Sequence, residues 1–204
     1  MSPANAGQRL GGSGGVRHSS DRRSDTDDKV FPAMARVLAI SSFVASGHVG
    51  LSAAWPVLSA MGHETIALPT RVLSNHPAHP HSSAHDIPPA ALAAMLDALD
   101  ANGRLAGIDL VLTGYLPLAA YCEVALAAIS RIRRQSPAAQ VLVDPILGDD
   151  PGGLYIAADA AAAIRDSLLP EADIATPNRF ELAWLSGQAV CDVAAAIPAA
   201  RPLA

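Results

Sequence analysis

Residues 139–155 read AQVLVDPILGDDPGGLY, and the reading of this stretch decides the fold. The apolar run through Val143 is strand-like and ends abruptly on a carboxylate, Asp144. A second carboxylate, Asp149, follows five residues on, within a turn carrying Gly148, Gly152 and Gly153. A strand that ends on acids and then opens into a glycine-rich turn is more than a connection requires. It describes a parallel strand whose carboxyl end faces a ligand, where glycines let backbone approach closely.

Working outward, the chain repeats the same unit. Strands are expected at 36–41, 63–70, 108–114, 139–145 and 172–176, each a short apolar run. Between them lie helix-length patterns at 50–62, 88–103, 118–137 and 157–170, with another starting near residue 178. Pro56 is expected in the first turn of its helix, where a missing N–H costs little. Strands alternating with helices point to a mostly parallel α/β sheet with helices on its faces.

Composition narrows the function. The chain has 204 residues, half of them hydrophobic, and a formal net charge of −5. Mild acidity without a basic patch argues against nucleic acid as the main partner. Cys122 and Cys191 form neither a metal spacing nor a disulfide framework, which fits a reducing, cytoplasmic setting. No apolar run reaches membrane-spanning length. Residues 1 to about 33 are rich in Gly, Ser, Asp and Arg and are expected to be disordered, with the folded domain at 34–204. Met34, just before the first strand, is a candidate start. The one lysine is Lys29, so a P-loop or a kinase-type strand lysine is excluded from the domain.

The polar residues collect at strand ends. Ser41 and Ser42 precede Gly47 and Gly50, which reads either as a ligand-binding turn or as a capped helix start. Thr113-Gly-Tyr115 offers a ring face to a flat ligand, or an ordinary half-buried aromatic. His76, His79, His81 and His85 suggest metal, but Pro77 and Pro80 interrupt them and no closed zinc pattern results. A mobile lid is the expectation for that loop. In TPNRFELAWLSG, residues 176–187, Asn178 and Glu181 have capping-box spacing and Gly187 supplies a stop. The same two residues could instead face a bound ligand. Asp144 and Asp149 could orient Mg²⁺ or its waters.

DPILGD (144–149), TPNRFE (176–181), TGY (113–115), LSNH (73–76) and VLAISSFVASGHVGLSAAW (37–55) occur in one order, and together they resemble the pyridoxal kinases of the ribokinase-like superfamily. The similarity runs from about Met34 to about Val190. It implies a ribokinase-like three-layer α/β/α fold and transfer of the γ-phosphoryl of ATP to the 5′-hydroxyl of pyridoxal. By the same resemblance, Ser42, His76 and Tyr115 would bind the vitamin. Asp144, Asp149, Tyr155, Thr176, Asn178 and Glu181 would serve ATP, with Asp149 and Glu181 organising Mg²⁺ through water. K⁺ near Asp144 and a homodimer are implied as well.

Three departures accompany the resemblance. A Thr-Gly-Tyr-like stretch usually follows SNH, where this chain has Pro77-Ala78-His79, and Phe is common where Leu73 stands. Both bear on the choice among pyridoxal, pyridoxine and pyridoxamine. The family also continues to further strands and a G-x-G-D motif holding the base aspartate, and no G-x-G-D occurs in these 204 residues. The expectation is therefore a domain lacking its C-terminal strands and helices, with an open edge, exposed apolar surface and no catalytic base of its own. A non-catalytic nucleotide- or B6-binding fragment and a hydroxymethylpyrimidine kinase relative are the alternatives.

Overall fold

The computed structural model describes residues 34–203, so the expected disorder before Met34 lies outside the described residues. The main sheet has six strands: β1 (Arg36–Ser46), β2 (Glu64–Asn75), β3 (Ala84–Asp86), β4 (Leu110–Thr113), β5 (Gln140–Val143) and β8 (Ile174–Ala175). Their order is β3-β2-β1-β4-β5-β8, parallel throughout except for β3 on the edge. A small antiparallel hairpin, β6 (Gly148–Asp149) with β7 (Gly153–Leu154), follows β5. The helices are α1 (Leu51–Ala60), α2 (Pro89–Ala101), α3 (Ala119–Gln135), α4 (Ala158–Ala163), α5 (Arg179–Ser186) and α6 (Val193–Ala200). None of the described helices is long and apolar enough to cross a membrane.

The two faces of the sheet differ. Leu38, Ile40, Leu68, Val111, Val141 and Val143 point to one face, where Leu92 and Leu96 of α2 and Ile129 and Ile132 of α3 bury them in a continuous core. Burying each such side chain contributes about 1.5–3 kcal/mol. On the other face, α1 covers β1 and β2. The row Ala39, Leu112, Leu142, Ile174 runs across that face in register. Ala39 is fully buried, Leu112 and Leu142 are half-buried, and Ile174 is 39% exposed. Parallel strands need cover on both faces, and this face loses its cover from β1 outward to β8. The expected edge and exposed apolar surface are both present.

Several expectations need correction. Pro56 lies in the sixth position of α1, not its first turn, with its ring exposed. The loop after the second strand is shorter than expected: residues 71–75 continue the strand, β3 pairs back on it, and the connecting loop is 76–83. The single helix expected at 157–170 is broken into α4, a π turn at Ile164–Leu168 and a 3₁₀ turn at Leu169–Glu171. α6, whose alanine-rich start is capped by the Asp192 side chain accepting from the Ala195 amide, was not anticipated.

Candidate functional site

Strands β2 and β4 flank β1 on opposite sides, so the direction of winding reverses at β1 and β4. A crevice opens at the carboxyl ends of strands at such a switch point. Here it holds a cavity of about 900 Å³ lined by Ser42, Arg71, Leu73, His76, Tyr115, Ile146, Asp149 and Tyr155, among others. Five residues assigned from sequence, Ser42, His76, Tyr115, Asp149 and Tyr155, meet there. Asp144 lines a neighbouring cavity of about 350 Å³ with Ser41, Thr113 and Gly114. Thr176 touches it there, whereas Asn178 and Glu181 line neither cavity.

Glycines make the floor possible. Gly50 opens α1 at φ +54, and a Cβ there would collide with the Ser42 carbonyl and lie 2.8 Å from its hydroxyl. A side chain on Gly114 would strike the Ser41 hydroxyl. The first strand runs on to Ser46 rather than ending at Ser41, and close approach at these two points places its Ser41–Ser42 segment directly against the turns it faces. Tyr115 is then fixed through its backbone: its amide donates to Ser41 Oγ at 3.1 Å, and its carbonyl accepts from Thr70 Oγ1 at 2.8 Å.

The loop between β5 and β7 is fastened from behind. Asn178 caps α5 by accepting from the Glu181 amide at 2.9 Å, and Glu181 Oε2 accepts from the Asn178 amide at 2.8 Å, so the capping box forms. Glu181 Oε1 also accepts from the Leu147 amide at 2.9 Å, and Asn178 Nδ2 donates to the Gly148 carbonyl at 2.9 Å. One buried carboxylate, 4% exposed, thus ties the helix start to the acidic loop. Burial pushes its carboxyl above the ordinary range, against the pull of the amides it accepts from. Within the tied loop Ile146 sits at φ +42, a left-handed conformation that is costly for a β-branched residue. Its side chain lines both cavities.

The remaining polar groups follow from their surroundings. Burial raises the Asp144 carboxyl, and Thr176 Oγ1 donates to it at 3.1 Å. The Thr113 hydroxyl is buried and has no partner among the described residues. Tyr155 is half exposed, and hydrogen bonding to the Asp149 carboxylate, followed by partial burial, pushes its phenol up to about 12. His76 Nδ1 accepts from the Ala78 amide at 3.2 Å, which leaves Nε2 to carry the proton of the neutral ring. Among the described residues no three His, Cys, Asp or Glu side chains converge into a metal cage.

Among the cavity residues not singled out in the sequence are Arg71 and Ile146. Arg71 lines the large cavity with its guanidinium 6.0 Å from the centroid of the Tyr115 ring. Its signal was present, as the one charge inside the apolar run ALPTRVL. Ile146 carried no signal, because a left-handed isoleucine cannot be read from composition.

Comparison with known proteins agrees with this geometry. The phosphomethylpyrimidine kinase family profile matches residues 45–204. The chain is similar to the pyridoxine/pyridoxal/pyridoxamine kinase of Bordetella avium, 40% identical over 172 residues, covering 84% of this chain and 58% of that protein. The pyridoxal kinase of Deinococcus radiodurans is 37% identical over 177 residues, covering 86% and 59% respectively. Among solved structures, the pyridoxal kinase from Leishmania donovani in complex with ADP and pyridoxine superimposes with a TM-score of 0.78 at 35% identity, over 82% of this chain and 59% of that one. The expected ribokinase-like α/β fold is borne out. The chain spans just under three-fifths of the length of these curated relatives.

Proposed function

The chain belongs to the phosphomethylpyrimidine kinase family, and from that premise we propose that it serves ATP-dependent phosphorylation of the 5′-hydroxyl of pyridoxal, in salvage of vitamin B6. The observation that carries this reading is the single cavity shared by two sets of residues. Ser42, His76 and Tyr115, which suit a flat heteroaromatic ring, line it together with Asp149 and Tyr155 of the acidic loop. Tyr115 offers a ring for stacking, Ser42 a hydroxyl for a ring heteroatom, and His76 an N–H donor.

The nucleotide side fits ATP without a lysine. Asp149 is an exposed carboxylate beside the glycines of β6 and β7, suited to hold Mg²⁺ through one oxygen while waters and phosphates complete the shell. Both Glu181 oxygens already accept amides, so its part toward the ion is through water or through the loop it fastens. When bound, Mg²⁺ neutralises phosphate charge. Asp144 and the Thr176 hydroxyl that donates to it form an oxygen-bearing corner that suits K⁺. The contribution of these residues is positioning and charge complementarity, which dominate phosphoryl transfer. We assign no catalytic base to them. The exposed Trp55 and Val57 of α1 and Met61 just after it fit a homodimer contact, and Cys122 and Cys191, both free, fit a cytoplasmic setting.

The test is to incubate the purified chain with Mg·ATP and pyridoxal, follow pyridoxal 5′-phosphate by chromatography, and measure binding of each ligand by calorimetry. Binding of both ligands with product formation supports the proposal. Binding without product assigns the chain a B6- and nucleotide-binding role. Binding of neither contradicts it.

A further inference from the structure

The β1–β2 register shifts between Ser41 and Phe43: Ser41 pairs with Pro69 and Phe43 with Val72. Two residues, Thr70 and Arg71, therefore oppose the single residue Ser42, which is a β-bulge. Bulges re-aim side chains, and this one stands where the strand meets the large cavity. Thr70 turns to bind the Tyr115 carbonyl, and Arg71 lines the cavity beside the Tyr115 ring. Directly across the hairpin from Arg71 is Asp86 of β3. Arg71 Nε donates to Asp86 Oδ1, and Nη2 donates to Oδ2 at 3.0 Å, a two-point clamp on one edge of the guanidinium. Nη1 makes no bond among the described residues, so the unclamped edge of the fork keeps its donors.

Resting on the proposed function, we propose that Arg71 selects among B6 vitamers: it donates to an anionic ring oxygen of the bound pyridine and disfavours a cationic substituent beside it. Pyridoxal and pyridoxine carry an aldehyde or a hydroxymethyl group at the position where pyridoxamine carries an ammonium. All three carry a ring hydroxyl whose ionised form matches a guanidinium donor. A like charge a few ångströms away in a partly desolvated site lowers affinity on the order of ten-fold. Asp86 is a positioning residue that holds the fork and offsets part of its charge. Arg71 is the one arginine or lysine lining the cavity among the described residues.

The experiment is calorimetric titration of the full chain, in the presence of ADP, with pyridoxal, pyridoxine and pyridoxamine. Wild-type protein binds pyridoxal and pyridoxine about ten-fold more tightly than pyridoxamine. Arg71→Met abolishes that ratio, by weakening pyridoxal and strengthening pyridoxamine. Arg71→Lys keeps the bias against pyridoxamine but weakens pyridoxal, because the charge stays and the fork is lost. Asp86→Asn widens the ratio, a change that a merely structural role would not produce. Equal binding of all three vitamers to wild type, or a ratio unmoved by Arg71→Met, overturns the inference and leaves the proposed function standing. Wild-type protein that binds no vitamer overturns both.

Discussion

The acidic loop at residues 144–155 and the hairpin tip at residues 76–83 wall the same cavity, yet they are held in different ways. The loop is anchored by a buried carboxylate, a cap and a carbonyl contact, all from α5 and its N-cap Asn178. The tip is tied by exposed bonds, such as Asn75 Nδ2 to the His76 and His81 carbonyls and the Ser83 amide to Ser74 Oγ. A buried network loses much when one member goes, because each orphaned donor bears its full desolvation cost. Exposed bonds exchange with water and lose little. The difference assigns rigidity to the side proposed for the triphosphate and adaptability to the side proposed for the vitamin.

The comparison can be broken first at Gly148. A Cβ there would collide with the Gly153 carbonyl and come within 2.8 Å of the Phe180 ring. Gly148→Ala should cost about 3 kcal/mol of stability or more, read from urea unfolding. Glu181→Ala orphans the Leu147 and Asn178 amides and should cost about 2–4 kcal/mol. Asn178→Ala removes the cap and should cost about 1–2 kcal/mol. On the hairpin side, His76→Ala should leave stability within about 0.5 kcal/mol of wild type while weakening pyridoxal binding. A loss of stability at His76 as large as that at Glu181 would erase the contrast.

Protonation sharpens it further. Burial raises Glu181 above its ordinary 4.5 and Asp144 above its ordinary 3.8. A raised folded value means stability that is fully present below the ordinary value and is lost as pH rises through the folded one. Glu181→Gln should therefore flatten the part of the stability profile that falls with pH just above 4.5. His76→Ala should not alter that part. Thermal unfolding at several pH values reads both.

Much of the fold was legible because strand ends carry chemistry. Val141 and Val143 announced a buried strand, Asp144 its end, and Gly148 the close approach behind it. The capping box at Asn178 and Glu181 was readable as spacing. What could not be read was which amides Glu181 would also take, since Leu147 lies 34 residues away in sequence. The continuation of β2 through Asn75 was hidden too. Ala84-His85-Asp86 has little strand propensity of its own. It pairs because Asp86 meets Arg71 across the hairpin. That the row Leu112, Leu142 and Ile174 lies on the less covered face was not legible in the strands themselves, because an apolar strand reads alike whether one face or both are covered.

The most direct test of this division of labour is a pair of dissociation constants, for pyridoxal and for Mg·ATP, measured on wild type, His76→Ala and Asp149→Ala. The account predicts a crossover: His76→Ala weakens pyridoxal and spares Mg·ATP, and Asp149→Ala does the reverse. Equal losses of both ligands in both variants would contradict it.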